Sequence, residues 1–190
     1  MKQKSTSKRW LDIIAIALLF FVALSLRLSY QRESVIDHPI RADAREYFFA
    51  AYNLHRFQVY STKPSPPHSN VPPEPDFRRP PGYPLFLYPF IALSRTAPQF
   101  LYRVGLAQAL MGALTAVLTY ALARLCLSIP YSTAAGLLTA LSPHLIAMDH
   151  FVLSEPLFTF VLVLFAFLIS LSWRYQSKSL ALTAGCISGG

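Results

Sequence analysis

The sequence is poor in charge: Asp, Glu, Lys and Arg make up 14% of its 190 residues, against roughly 25% in soluble domains. Its 7 glycines are too few for a collagen-like chain. Cys126 and Cys186, the 2 cysteines, both lie in apolar runs, which excludes a disulfide scaffold. No histidines have the spacing of a zinc site, and no glycine-rich nucleotide loop occurs. Hydrophobic residues make up 54% and lie in long blocks, as expected of a membrane protein rather than a disordered chain.

The formal net charge of +8 raises the question of nucleic-acid binding. The basic residues, however, cluster at the edges of the apolar blocks, where they set membrane topology more often than they contact nucleic acid. We therefore expect a lipid bilayer, and no nucleic acid, as a partner.

The N-terminal segment, residues 1–9, has four basic residues and is predicted to be a cytoplasmic tail before a first transmembrane helix over residues 10–28. A signal peptide would begin in the same way. Its cleavage site, near Ala23 to Ser25, would fall inside the apolar run, so an uncleaved helix is the better interpretation. The chain is then an integral, multi-pass protein of a prokaryotic plasma (inner) membrane.

Residues 101–178 are predicted to hold transmembrane helices 2–4, joined by short loops. An apolar block too long for one span of about 20 residues is divided at Pro130, which suits the first turn of a new helix. The expected helices cover residues 101–127, 131–148 and 156–173. Residues 179–190 are predicted to be the start of a truncated fifth helix, so we expect the chain to be the N-terminal part of a larger protein. The short loops obey the positive-inside rule.

Residues 29–100 form the predicted extracytoplasmic loop, which differs from the rest of the chain. Residues 43–57 have the apolar spacing of an amphipathic helix lying on the membrane surface. Six prolines between residues 63 and 76 exclude regular helix there. The apolar run 85–93, broken by Pro89, is too short to span and indicates an interfacial or re-entrant helix. The predicted fold class is therefore all-α, with transmembrane and interfacial helices.

Four residues combine charge with an informative location. Asp43, at the start of the surface helix, is either a helix cap or solvated charge, or a general base at the membrane face. Arg78 and Arg79, next to two prolines, either bind a phosphate group as a fork or contact anionic lipid head groups. Glu155 begins an apolar span, where it either caps the helix or is functional.

The layout resembles the GT-C glycosyltransferases, and more narrowly the protein-mannosyltransferase and aminoarabinose-transferase group. The resemblance covers the chain from Trp10 onward. It is carried by three motifs in order, whose sequences are Arg41-Ala-Asp43-Ala-Arg-Glu-Tyr47, Phe77-Arg-Arg-Pro-Pro-Gly-Tyr-Pro84 and Leu153-Ser-Glu155-Pro-Leu-Phe-Thr-Phe160.

The resemblance implies an inverting sugar transfer from a polyprenyl-phosphate donor to a protein, lipid or glycan acceptor on the extracytoplasmic face. Asp43 would be the catalytic base, and Arg78 with Arg79 would bind the donor phosphate. The substrate-binding or structural positions would be Glu155, Glu46 and Tyr83.

The aminoarabinose-transferase branch has an acid and a lysine where this chain has Arg78 and Arg79, so that branch's metal site does not carry over. No metal ligands are assigned, and a divalent metal as cofactor stays open. The expected role is in protein glycosylation or cell-envelope glycan synthesis, with the truncated chain inactive alone. The alternative is a non-enzymatic transporter or lipid-handling protein that binds an anionic substrate.

Overall fold

A computed structural model describes residues 3–34, 39–65 and 70–187 of the chain. Every regular element in these ranges is a helix, which confirms the predicted all-α class. The eight helices are α1 Gln3–Glu33, α2 Asp43–Phe57, α3 Gly82–Leu93, α4 Ala97–Arg124, α5 Ile129–Leu141, α6 Pro143–Met148, α7 Glu155–Tyr175 and α8 Lys178–Ile187.

Some predicted segments extend beyond the described residues. These are the first two residues of the N-terminal tail, residues 35–38 of the predicted extracytoplasmic loop, residues 66–69 of its proline-rich stretch and the last three residues of the fifth helix. Helix α1 begins at Gln3 and ends at Glu33, so it extends beyond the predicted residues 10–28 at both ends. Residues 3–9 contain neither proline nor glycine, so nothing in the sequence interrupts the helix there.

In the part of the chain that the structure describes, three helices are long and apolar enough to cross a membrane: residues 9–33 of α1, and all of α4 and α7. Large apolar side chains on their surfaces face outward, among them Trp10, Phe21 and Phe158. A helix that is hydrophobic on all sides can expose such side chains stably only when its surroundings are apolar. The fold is therefore consistent with a membrane protein.

The predicted single helix over residues 131–148 is wrong. Two helices, α5 and α6, meet at Ser142, which has an extended backbone with ψ of 112°. The cause is Pro143, since the residue before a proline is pushed out of the helical region. With 13 residues, α5 is shorter than the roughly 20 residues of a full span.

Helix α4 is the centre of the bundle and packs against α1, α5 and α7. Four fully buried alanines line the contact between these helices: Ala23, Ala113, Ala116 and Ala140. Small side chains let helix backbones approach closely, which is how apolar helices associate where the hydrophobic effect between them is weak.

A buried ion pair joins the first helix to the residues before α7. Nε of Arg27 lies 2.5 Å from Oδ2 of Asp149, and the two side chains are 1% and 7% exposed. Nη1 of Arg27 also donates to the carbonyl oxygens of Ala23 and Ala140. Gly112 on α4 packs directly against both charged groups. The pair therefore fixes the α6–α7 connector, residues 149–154, against the bundle.

Helices α2 and α3 form a second layer against the start of α4. Tyr47, Ala51, Tyr83 and Leu87 pack there with Phe100 in one buried cluster. The hydroxyls of Tyr47 and Ser154 are 3.2 Å apart, which ties α2 to the connector. This packing brings the first turn of α2 beside the first turn of α7.

Candidate active site

Two carboxylates lie on one face of the first turn of α2. Asp43 is the first helical residue and Glu46 follows three positions later, a spacing that places both side chains on the same side. Asp43 is not the helix cap: that position is Ala42, and no side chain caps this end. Both acids are therefore available to other groups.

Ala42 has φ of 50° and ψ of −127°, a combination that an L residue with a Cβ atom rarely adopts. The turn sets the direction in which the chain enters α2 and places Arg41 and Asp43 on either side of the strained residue. Strain at such a position is typical of functional sites.

The guanidinium of Arg79 bridges the two carboxylates. Its Nε donates to Oε2 of Glu46 at 2.5 Å, and its Nη2 donates to Oδ1 of Asp43. The same group lies over the ring of Tyr47, 5.4 Å from the ring centre. The hydrogen bond to Glu46, followed by the charges of Asp43 and Glu46, raises the pKa of Arg79 above its ordinary value despite some desolvation. Arg79 is thus a positioning group for Asp43.

Arg78 is held more loosely than its neighbour. Its side chain is 65% exposed; Nη1 lies 3.6 Å from Oε1 of Glu46 and Nε lies 3.9 Å from Oδ2 of Asp76. Both distances exceed that of a direct hydrogen bond. The N–H groups of Arg78 are therefore better placed than those of Arg79 to donate hydrogen bonds to a new anionic partner.

Two segments without regular secondary structure, residues 59–65 and 74–79, hold the arginines in place. Nδ2 of the buried Asn53 donates to the carbonyls of Ser61 and Lys63, at 2.8 and 2.9 Å. The hydroxyl of Tyr60 donates to the carbonyl of Arg79 at 2.7 Å, while its ring stacks on Phe77. Because α2 and the two segments are cross-linked in this way, the loop has a defined shape in spite of its prolines.

A pocket of about 500 Å³, here called the loop pocket, opens between α2 and these segments. Its charged lining residues are Asp43, Glu46, Asp76, Arg45, Lys63 and Arg78. The three acids balance the three cations, so the pocket has no net charge. The hydroxyl of Thr62 donates to Asp76, and this bond is the main reason why the pKa of Asp76 is below its ordinary value.

A second pocket of about 290 Å³, here called the connector pocket, lies on the other side of Asp43. Its lining includes Arg41, Ala42, Asp43, Phe151, Leu153 and Glu155. Asp43 and Ala42 line both pockets and form the ridge between them. Glu155, the exposed first residue of α7, also lines a third cavity of about 140 Å³, which reaches Arg27 and Asp149.

Tyr83 takes a structural position. It is only 4% exposed, its ring packs edge-to-face on Tyr47, and its hydroxyl donates to Oε1 of Gln108 at 2.5 Å. Burial raises the pKa of the hydroxyl well above its ordinary value, so it remains a donor at neutral pH. Tyr83 lies behind α2 and lines neither the pocket beside Arg78 nor the one beside Glu155.

The structure thus brings together Asp43, Glu46, Arg78 and Arg79, and it places Glu155 across the ridge from the arginines. Within residues 3–34, 39–65 and 70–187, no group of three or more His, Cys, Asp or Glu side chains is arranged to hold a metal ion. Asp43 and Glu46 are both paired with the guanidinium of Arg79.

Sequence reasoning missed several residues of the two pockets. Arg41 is the first residue of the motif that contains Asp43, but no role was predicted for it. Thr62 and Asp76 have no spacing that distinguishes them from other polar residues of the loop. Arg27 and Asp149 had a usable signal, since a charged residue beside or within an apolar run needs a partner. Their pairing across 122 positions of sequence was not predictable from either residue alone.

No protein-family model matches the chain, and comparisons with curated proteins and with solved structures give no significant match.

Proposed function

We propose that the chain belongs to a membrane glycosyltransferase that moves a sugar from a polyprenyl-phosphate donor to a hydroxyl acceptor, with inversion. One observation carries the proposal: Arg79 joins Asp43 and Glu46, across 36 and 33 positions of sequence, at the edge of a pocket that Arg78 lines. A carboxylate and two guanidinium groups in one place are the parts such a reaction needs.

The donor phosphate is proposed to bind in the loop pocket. Arg78 supplies exposed N–H donors, and the Nη1 group of Arg79 is not used in its bonds to the two acids. Guanidinium groups fit phosphate oxygens as a fork. When phosphate binds, it replaces the long contacts of Arg78 with Glu46 and Asp76, so little existing structure is lost.

The chemical step is a displacement at the anomeric carbon. The acceptor oxygen forms a bond to this carbon while the bond between the carbon and the phosphate oxygen breaks, and the electron pair leaves with the phosphate. The acceptor proton passes to the Asp43 carboxylate, which acts as general base. Arg78 and Arg79 stabilise the charge that develops on the leaving phosphate. Arg79 also holds the carboxylate of Asp43 in place on the ridge between the pockets.

The three apolar helices support a donor whose isoprenoid chain stays in the bilayer. We propose the multi-pass arrangement in a prokaryotic plasma membrane, with a cytoplasmic N-terminus and the site on the outer face. The acceptor is then a protein, lipid or glycan that reaches this face.

The test separates catalysis from donor binding. In membranes containing the full-length protein, sugar transfer is measured from a set of polyprenyl-phosphate sugars, and retention of undecaprenyl phosphate is measured by native mass spectrometry. We expect Asp43→Asn to abolish transfer and to keep lipid retention, because the base is lost while the arginines remain. Arg78→Ala should weaken lipid retention at least about tenfold, the loss expected for a charged hydrogen bond.

The matched control is Arg95→Ala, which removes an arginine from the α3–α4 connection and should leave both measurements unchanged. Transfer that persists in Asp43→Asn would contradict the catalytic assignment and favour a protein that only handles the lipid. Lipid retention that is equal in Arg78→Ala and Arg95→Ala would remove the phosphate site.

A further inference from the structure

The connector pocket has no role in the chemistry above, yet it is a built site. One wall is the chain entering α2, with Arg41 and Asp43; the other is the connector, with Phe151 and Leu153, followed by Glu155. The wall from α2 is tied to the connector by the Tyr47–Ser154 contact, and the connector is fixed to the bundle by the buried pair of Arg27 and Asp149. The shape of the pocket is therefore set by packing and hydrogen bonds on both sides.

The polar groups of this pocket suit vicinal hydroxyls. Each hydroxyl donates one hydrogen bond and accepts others, and here the carboxylates of Asp43 and Glu155 accept while the guanidinium of Arg41 donates. Phe151 and Leu153 offer an apolar surface for the carbon-bound face of a ring. The two carboxylates outnumber the one guanidinium in the lining, and Asp43 is already bound to Arg79, so the pocket has no excess positive charge to attract an anionic ligand.

The pocket, at about 290 Å³, lies at the small end of the range of ligand pockets, roughly 300–1,000 Å³, which suits a ligand of one ring.

The connector pocket also lies directly beside Asp43, the proposed general base. Because Ala42 and Asp43 form the ridge shared with the loop pocket, a ring in the connector pocket has its edge at the catalytic carboxylate. A phosphate on Arg78 then lies across the same ridge. The strained backbone of Ala42 keeps the ridge between the two pockets.

From this arrangement we infer that the connector pocket binds the sugar ring of the substrate, and that the ring is an uncharged pyranose. Arg41 and Glu155 are its hydroxyl-binding residues. The inference rests on the proposed function for its place in the reaction, but the binding it describes is measurable without any transfer.

The experiment is saturation-transfer NMR on the full chain in phosphatidylcholine nanodiscs, which avoids detergents with sugar head groups. The probes are methyl mannopyranoside and methyl glucopyranoside, with methyl glucuronide as the anionic counterpart. We expect the wild-type chain to saturate at least one of the two neutral glycosides several-fold more than the glucuronide.

Arg41→Ala and Glu155→Ala should each weaken binding of the neutral glycoside at least about tenfold, because each removes a charged hydrogen-bonding partner. Glu155→Gln keeps an acceptor oxygen and should fall between Glu155→Ala and the wild type. Arg95→Ala and Glu33→Gln are the controls, since neither residue lines the pocket, and both should bind like the wild type. Circular dichroism of each variant shows whether its helices are retained.

The inference is overturned if neither neutral glycoside is saturated, if the glucuronide binds equally well, or if Arg41→Ala and Glu155→Ala bind like their controls. Retention of undecaprenyl phosphate by the same samples distinguishes failure of the sugar-site inference from failure of the proposed function. Loss of glycoside binding with phosphate binding intact removes only the sugar site, whereas glycoside binding without any phosphate binding removes the proposed donor.

Discussion

Replacing Gly112 with alanine tests how tightly the buried ion pair is built into the bundle. A Cβ atom at this position would lie 2.9 Å from Cγ of Asp149, and closer still to Oδ2 of the same residue and to Nε of Arg27. Real Cβ atoms essentially never approach another atom within 3.0 Å, so the pair has to move. Both side chains are almost completely buried, and the hydrogen bonds of Arg27 to the carbonyls of Ala23 and Ala140 hold its guanidinium in place.

The expected loss of stability comes from disturbing the ion pair, and not from the helix propensity of the new residue. Breaking a buried ion pair destabilises a protein by about 3–5 kcal/mol, because the separated charges are left without partners. Alanine returns at most about 1 kcal/mol through its higher helix propensity. We therefore expect Gly112→Ala to lower the free energy of unfolding by about 2–4 kcal/mol, measured by denaturant titration in lipid micelles.

Two other glycines supply the comparison. Gly185, in α8, has open space where a Cβ would be placed, so Gly185→Ala should be neutral or stabilising by up to about 1 kcal/mol. At Gly105 the obstructing group is the flexible end of Gln31, which can turn away, so Gly105→Ala should cost little. If the unfolding free energies of Gly112→Ala and Gly185→Ala agree within about 0.5 kcal/mol, the pair does not constrain α4 and the reasoning is refuted.

Two further predictions concern the loop and the ridge. Ala42→Gly should raise the free energy of unfolding by about 1 kcal/mol, since glycine adopts the positive φ of this position without a Cβ penalty; a decrease in a denaturant titration would show that the turn is not strained. Thr62→Val should raise the pKa of Asp76 toward its ordinary value, because the hydroxyl that stabilises the carboxylate is lost. Since the native pKa of Asp76 is lowered, its contribution to stability is present above the ordinary value of 3.8 and is lost as the pH falls through the native one. Carboxyl ¹³C shifts of Asp76 against pH measure the change, and identical titrations in the two proteins would contradict it.

Much of the helical architecture was predictable because it depends on local composition. The long apolar runs of α1, α4 and α7 became helices, and α2 has the predicted bounds of residues 43–57. The break before α5 followed from Pro130. The break before α6 was missed although Pro143 gives the same kind of signal, because apolar character continues across it and suggested a single span.

The candidate site was only partly predictable, because its members come from distant parts of the chain. The roles of Asp43 and Arg79 came from the family resemblance; no spacing rule joins residues 36 positions apart across a proline-rich loop. The buried position of Tyr83 depends on Gln108, and the location of Arg41 in a pocket depends on how the connector folds back over α2. These are consequences of tertiary packing, which composition and periodicity do not contain.

The ridge formed by Ala42 and Asp43 has a thermodynamic consequence. Since one carboxylate borders both pockets, a ligand that reorients it in the loop pocket also changes the free energy of occupying the connector pocket. Linkage requires the effect to be mutual: whatever factor a phosphate adds to the affinity for a sugar, the sugar adds to the affinity for phosphate. A substrate that carries both groups would fill both pockets in one binding event, so this coupling would act within a single molecule.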